Sequence, residues 1–184
     1  MAGTSLVNRL AIHPTASTSL PTLPAAGSSI AKASWTSAGF ETIGSREYGS
    51  DNYDLDENAF NWNVEELWHE TRAPFSDGID EIILLNRKLV DIEVALYDID
   101  TSLLQLSSDI SVTSEVHTWT STVTKRTVAI EVVGIGIFEF PNALVRFTNV
   151  EMGKGDNQVA RATMMIKPIN ASGYPGGWKY TSYA

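Results

Sequence analysis

The chain has 184 residues, no cysteine and a formal net charge of −9 at pH 7. This length suits one domain with a hydrophobic core, and the lack of cysteine excludes disulfides and thiolate metal sites. The acidic balance argues against a protein that grips nucleic acid through basic clusters. No apolar run approaches the about 18 residues of a transmembrane helix, and the first residues lack the continuous apolar core of a secretory signal.

Residues 1 to 30 predict a flexible N-terminal arm, because they are rich in Ser, Thr, Ala and Pro. Three prolines disfavour regular structure there: Pro14, Pro21 and Pro24. A domain over residues 31 to 169 follows, and its first strand region, residues 30 to 43, is broken near Gly39. The polar segment from 44 to 58 has no period and predicts a long exposed loop, a feature that is usually functional or mobile.

The stretch LVDIEVALYDIDTSLLQL, residues 89 to 106, changes its period halfway. Apolar residues at alternate positions from 90 to 96 predict a half-buried strand, and they place Asp91 and Glu93 on its opposite face. The leucines that follow suit one side of a helix. Asp100 is the predicted N-cap of this helix, which would run to about Ser108.

Strand patterns dominate elsewhere, including residues 58 to 75 and several segments after residue 110. Gly and Asp residues from 153 to 157 predict a hairpin turn, and the aromatic C-terminal extension, residues 170 to 184, is expected to dock on another surface. The predicted fold is therefore mainly β: an antiparallel β-sandwich or open barrel with one flanking α-helix.

No residue pattern indicates catalysis. The three histidines (His13, His69, His117) lack metal-ligand spacing and are interpreted as structural. Glu65 and Glu66 are adjacent, so in a strand they point to opposite faces and cannot act as a glycosidase pair. We therefore expect no enzyme activity, no metal and no cofactor.

The order of these parts resembles the major tail tube proteins of tailed bacteriophages, especially those with long non-contractile tails. The resemblance is strongest where an alternating strand runs into the predicted helix, and it covers most of the chain. Four stretches carry it: SWTSAGFETIGSREYG (34 to 49), VEELWHETRAPFSDGIDEII (64 to 83), VDIEVALYDIDTSLLQL (90 to 106) and FPNALVRFTNVEMGKGDNQVARATMMIKPI (140 to 169).

The resemblance implies a structural virion protein that is assembled in the host cytoplasm without contact with a membrane. Six copies would form a ring, each giving strands to an inner barrel, and rings would stack into a hollow tube that conducts viral DNA during ejection. Other partners would be the tape-measure protein, the tail terminator and distal tail proteins. DNA would pass through without specific binding.

Within such a tube, Asp91 and Glu93 would line an acidic lumen along which a polyanion slides without sticking. Glu131, on the outward face of TVAIEVV, is a second lumen candidate. The long loop would order against the neighbouring ring, which makes its tyrosine, leucine and acidic residues ring-stacking candidates: Tyr48, Asp51, Tyr53, Asp54, Leu55 and Asp56.

Two alternatives stay open. One is another phage tail ring protein, such as a terminator or baseplate ring, which would stop at one ring where a tube protein makes open-ended stacks. The other is a carbohydrate-binding β-sandwich, whose exposed aromatic side chains would stack on sugar rings. Trp62, Trp68 and Trp119 are the candidates for that role.

Overall fold

A computed structural model describes residues 7–25, 27–44, 54–74, 80–97, 103, 105–113, 116–132, 134–151, 161–174 and 176–183. Its antiparallel sheet curls into a half-barrel with one short helix, which confirms the predicted class of a mainly β open barrel. In the part of the chain that is described, no helix combines the length and apolar character needed to cross a membrane.

The described elements follow in chain order as β1 (Val7–His13), α1 (Lys32–Ser37), β2 (Glu41–Gly44), β3 (Asp54–Pro74), β4 (Asp80–Tyr97), β5 (Ile110–Thr113), β6 (Val116–Trp119), β7 (Arg126–Val132), β8 (Gly136–Glu151), β9 (Arg161–Pro168) and β10 (Lys179–Ser182). The main sheet has the order β10-β8-β7-β1-β2-β3-β4-β9, and β8 also pairs with β9. Strands β5 and β6 form a separate two-stranded sheet.

Alternating apolar residues build the inner core on the concave side of this sheet. In β4, Ile92, Val94 and Leu96 are buried, as their two-residue period predicts. The facing positions of β1, β7, β8 and β9 supply most of the remaining residues. The inner core contains Leu10, Ile12, Ile43, Ile92, Val94, Leu96, Leu103, Leu106, Val128, Ile130, Phe140, Ala143, Val145, Phe147, Ala162, Met164 and Ile166.

A second cluster lies on the opposite side of β1 and β7, beneath α1. Its largest member is Trp35, which packs edge-on against Phe40 with ring centroids 5.1 Å apart. The helix ends before Gly39, whose φ of +83° suits glycine at a helix C-terminus. We call this group the outer cluster: Ala11, Ile30, Trp35, Phe40, Ala129, Ile137 and Tyr183.

The predicted arm is wrong for residues 7 to 13, because β1 pairs with β2 on one edge and β7 on the other. The proline-rich part that follows has no regular structure, but it contacts the sheet. The Ser17 amide donates to the Pro141 carbonyl at 2.8 Å, and the Thr18 amide to Thr127 Oγ1 at 2.9 Å. The predicted strand over residues 30 to 43 is also wrong in its first half, which forms α1.

The predicted flanking helix lies largely outside the described residues, since 98–102 and 104 are not among them. Leu103 is helical, and the chain turns at residues 105 and 106. The buried Arg126 guanidinium donates to three successive carbonyls there, those of Gln105, Leu106 and Ser107, at 3.3, 3.1 and 3.2 Å. A cationic side chain on consecutive carbonyls is a typical way to satisfy a helix C-terminus.

The predicted loop from 44 to 58 is wrong at its end, where residues 54 to 58 belong to β3. Its residues 45–53, and the predicted hairpin turn at 153–157, lie outside the described residues. The aromatic C-terminal segment docks on the sheet as predicted: β10 pairs with β8, and Tyr183 is buried in the outer cluster.

Candidate assembly surfaces

Strands β3 and β4 extend beyond the rest of the sheet as a two-stranded ribbon. Their register runs from Val64 opposite Val90 to Pro74 opposite Asp80. Strand β9 pairs with β4 only from Ile92 to Tyr97, and β2 meets β3 only where Gly44 lies opposite Asp54. Among the described strands, the ribbon from 64–74 and 80–90 therefore has no further partner. Eleven paired positions at about 3.3 Å each make it about 35 Å long.

Counting only the strands that the structure describes, both edges of this ribbon are open. A lone two-stranded hairpin is marginal in water, and unpaired edges are templates for strand addition. The sequence adds apolar residues at four consecutive positions, 82 to 85. Since successive strand positions belong to opposite faces, this run gives the ribbon apolar positions on both. Such a segment is suited to pairing with another chain.

The outward face of β4, β9 and β8 carries charges of both signs. Asp91 and Glu93 lie on the face opposite the buried Ile92 and Val94, as predicted. The Lys167 ammonium is 3.6 Å from the Asp91 carboxylate, and both side chains are partly exposed. Such exposed pairs contribute at most about 1 kcal/mol.

Glu93 lies opposite Met165, which lies opposite Arg146 in β8. The Arg146 guanidinium in turn is 3.5 Å from the Asp109 carboxylate. The acidic row expected from β4 alone therefore has basic neighbours from the adjacent strands. Whether this face lines a lumen stays a prediction.

Glu131 is on the outer face of β7, but that face is covered, so the prediction of an outward-facing Glu131 is wrong. Its side chain is 0% exposed. It lies directly opposite Arg9 in the pairing of β1 with β7, and its carboxylate is 3.3 Å from the guanidinium. The Ile30 amide and the Tyr183 hydroxyl each donate to its Oε1 at 2.6 Å. The C-terminal segment and the chain before α1 thus cover it.

We call these four residues (Arg9, Ile30, Glu131, Tyr183) the Glu131 lock. The Arg9 guanidinium also donates to the Ile30 carbonyl at 2.7 Å. Burial, with the hydrogen bond and charge of Glu131, raises the pKa of the Tyr183 phenol. The lock joins β1, β7, the segment before α1 and the C-terminus. Its sequence signal is weak, because the four residues are widely separated along the chain.

The ring-stacking candidates divide into two groups. Tyr48, Asp51 and Tyr53 lie outside the described residues. Asp54, Leu55 and Asp56 open β3 rather than a loop, with Asp54 opposite Tyr97 of β4.

The remaining candidates give no catalytic grouping in the described ranges. His13 Nδ1 lies within hydrogen-bonding distance of Thr15 and Thr18, in keeping with a structural role, while His69 and His117 belong to β3 and β6. No three acidic or histidine side chains among the described residues are grouped to hold a metal ion. Trp119, a candidate sugar platform, is 74% exposed.

Two open depressions of about 370 and 430 Å³ lie in the described surface. The larger one adjoins Arg126 and Glu41, and the smaller one adjoins Arg161 and Glu151. Each is lined mainly by strand and turn residues, and Arg126 in the larger one is already bonded to backbone carbonyls.

No protein-family model matches this chain, and no curated protein matches it either.

Proposed function

We propose that this chain is a structural subunit that assembles with copies of itself into stacked rings, as the major tail tube protein of a tailed bacteriophage. The ring would be hexameric, and its lumen would conduct viral DNA during ejection. The observation that carries this proposal is the β3–β4 ribbon with its two open edges. The resemblance of the sequence to tail tube proteins supplies the biological setting.

The ribbon supports ring assembly because its two edges differ. The free edge of β3 on one copy can pair with the free edge of β4 on the next, and each copy repeats the same contact. Such head-to-tail pairing closes into a ring when the rotation between copies allows it. It would also cover edges and apolar positions that a single copy leaves without a partner strand.

The curled main sheet supports the same function in a different way. Its inner core is formed by the chain's own residues, which favours a body that folds without a partner. The ribbon extends from this body at the β4 side. A self-sufficient body with an incomplete extension is the arrangement expected of a subunit that folds first and assembles afterwards.

The test is a shortened ribbon. Replacing residues 65 to 89 by an Asn-Gly turn joins Val64 to Val90, which lie opposite each other. We expect a folded subunit by circular dichroism that forms neither rings nor tubes by negative-stain electron microscopy, whereas the unchanged chain forms them as concentration rises. Tubes formed by the shortened chain would refute the role of the ribbon.

A matched control distinguishes strand pairing from non-specific hydrophobic association. Trp119 is highly exposed and lies on the separate β5–β6 sheet. The variant Trp119→Ser should still assemble into tubes. Assembly that stops at one ring with the intact ribbon would favour the terminator or baseplate alternative.

A further inference from the structure

Strands β9 and β10 lie end to end along one edge of β8. Strand β9 pairs with β8 from Ala143 to Glu151, and β10 pairs with it from Gly136 to Glu139. Both run antiparallel to β8, so β10 continues the line of β9 after an interruption. Strand β10 is also the terminal strand of the sheet order. Strand β10 therefore occupies the part of the β8 edge that β9 leaves unpaired.

The connection between these strands is longer than the gap that it crosses. Pro168 lies opposite Ala143 and Lys179 opposite Glu139, so the gap along β8 is about 13 Å. Residues 169 to 178 could span about 33 Å if extended. The excess length is folded into turns, including a bridge between Ala171 and Tyr174.

Glycines at the end of this connection provide a hinge. Gly176 and Gly177 have φ angles of +86° and +85°, which other residues rarely adopt. The Gly177 amide donates to the Tyr174 carbonyl at 2.9 Å, which holds the last turn closed. Two of the residues in this turn are therefore glycines, which can adopt the conformations of both a closed and an open turn.

Beyond the hinge, the strand ends in a specific anchor. Tyr183 is buried in the outer cluster, and its hydroxyl donates to Glu131. Its amide donates to the Ile135 carbonyl at 3.0 Å. Glu131 belongs to β7 and Ile135 to the turn between β7 and β8. The acceptor site would make the same contacts with a C-terminal strand supplied by another copy.

We propose that β10 is exchanged between copies in the assembled state, so that residues 179 to 183 of one copy occupy the β8 edge of a neighbour. This inference rests on the proposed self-assembly. Exchange keeps the contacts of residues 179 to 183, since the donated strand re-forms each one in the neighbour, and it gives up the hydrogen bond that closes the hinge turn. An extended connection of about 33 Å would let each donated strand pair non-covalently with a neighbour while it remains part of its own chain.

Cysteine pairs test the exchange directly, because the chain has no cysteine of its own. One preparation carries Glu139→Cys and a second carries Lys179→Cys, at positions that lie opposite each other. The two are mixed as monomers, allowed to assemble, oxidised and run on a non-reducing gel. We expect covalent dimers in the assembled fraction, because the two thiols meet only when strands are exchanged.

The control pair is Ser111→Cys with Thr118→Cys, which lie opposite each other in the β5–β6 sheet. That mixture should give no covalent dimers, since this hairpin pairs within itself. The double variant carrying both Glu139→Cys and Lys179→Cys should form a bond within one chain when it is kept monomeric.

Three outcomes decide the matter. Dimers from the first mixture alone support exchange. Rings or tubes that contain no such dimers, with an intrachain bond in the assembled double variant, overturn exchange and leave the proposed function standing. Chains that remain monomeric at every concentration overturn both.

Discussion

The tripeptide Ile-Glu-Val occurs twice in this chain, at 92–94 in β4 and at 130–132 in β7, and the two copies have opposite environments. In both, the isoleucine is buried in the inner core. Glu93 is partly exposed on an outward face, whereas Glu131 is completely buried. The same three residues thus form a strand in both places and bury their isoleucine in the inner core. The glutamate on the other face of the strand, however, has a different environment in each.

The difference comes from what lies over each strand. The outer cluster and the Glu131 lock cover β7, and they use residues from both ends of the chain. Among the described residues, the outer face of β4 contacts its neighbours in the sheet, among them Lys167, and Asp91 and Glu93 are partly exposed there. We call the covered half of the sheet the closed half and the half with these exposed positions the open half.

The largest expected loss of stability comes from substituting Glu131, which is buried in the closed half of the sheet. Glu131→Ala leaves the buried Arg9 guanidinium without its carboxylate and removes the acceptor of two further hydrogen bonds. Breaking a buried ion pair in this way costs about 3–5 kcal/mol. The free energy of unfolding, measured by denaturant titration of the monomer, should fall by that amount.

Glu93→Ala is the matched control, since it changes the same residue type in the same tripeptide. A surface substitution of this kind should alter the free energy of unfolding by no more than about 0.5 kcal/mol. Equal losses in the two variants would show that the two outer faces do not differ as described.

A smaller effect should appear at alkaline pH. The pKa of Tyr183 is raised above its usual value of 10.0 by burial and by Glu131, so the folded chain keeps a proton that the unfolded chain releases. This stabilisation is complete below pH 10 and is lost as pH rises above it, by about 1.4 kcal/mol per pH unit.

Tyr183→Phe removes this titration while it keeps the buried ring. Its unfolding free energy should be lower at neutral pH, because the hydrogen bond to Glu131 is lost, and flatter above pH 10. Parallel curves for the two proteins between pH 9 and 11 would contradict the assignment.

The smallest effect on stability is expected from substitutions on the outer face of the open half. Changing Asp91 and Glu93 together to lysine breaks the pair with Lys167, but exposed pairs are worth at most about 1 kcal/mol. If this face lines the DNA path, the change removes two negative and adds two positive charges per subunit, a net shift of four, and lets the wall bind phosphates. Virions that carry it should eject DNA slowly at low salt and recover as ionic strength rises.

Intact tubes with normal ejection at low salt would show that Asp91 and Glu93 do not face the DNA. Another surface of the subunit would then have to line the path, and buried Glu131 cannot take that role.

Much of the fold follows from local pattern. Alternation correctly predicts the buried positions 92, 94 and 96 of β4, and the aromatic content after residue 170 correctly predicts a docked C-terminal segment. Composition misleads at the other end: the Ser- and Pro-rich character of residues 1 to 30 hides the alternation of Leu10 and Ile12 in β1. The polar composition of residues 44 to 58 likewise predicts a loop where β3 begins at Asp54, and the ring-stacking role of this segment stays a prediction.

The sequence by itself determined that the chain is β-rich, that it holds together without disulfides, and which strand positions face the inner core. These properties depend on residue type and on a two-residue period, both of which are local. Only the tertiary structure decided that Glu131 is buried and that β3 and β4 continue past their neighbours as a ribbon. The reason is that both depend on distant segments: Arg9 and Glu131 are 122 positions apart, and the ribbon is open because β2 and β9 pair with only its base.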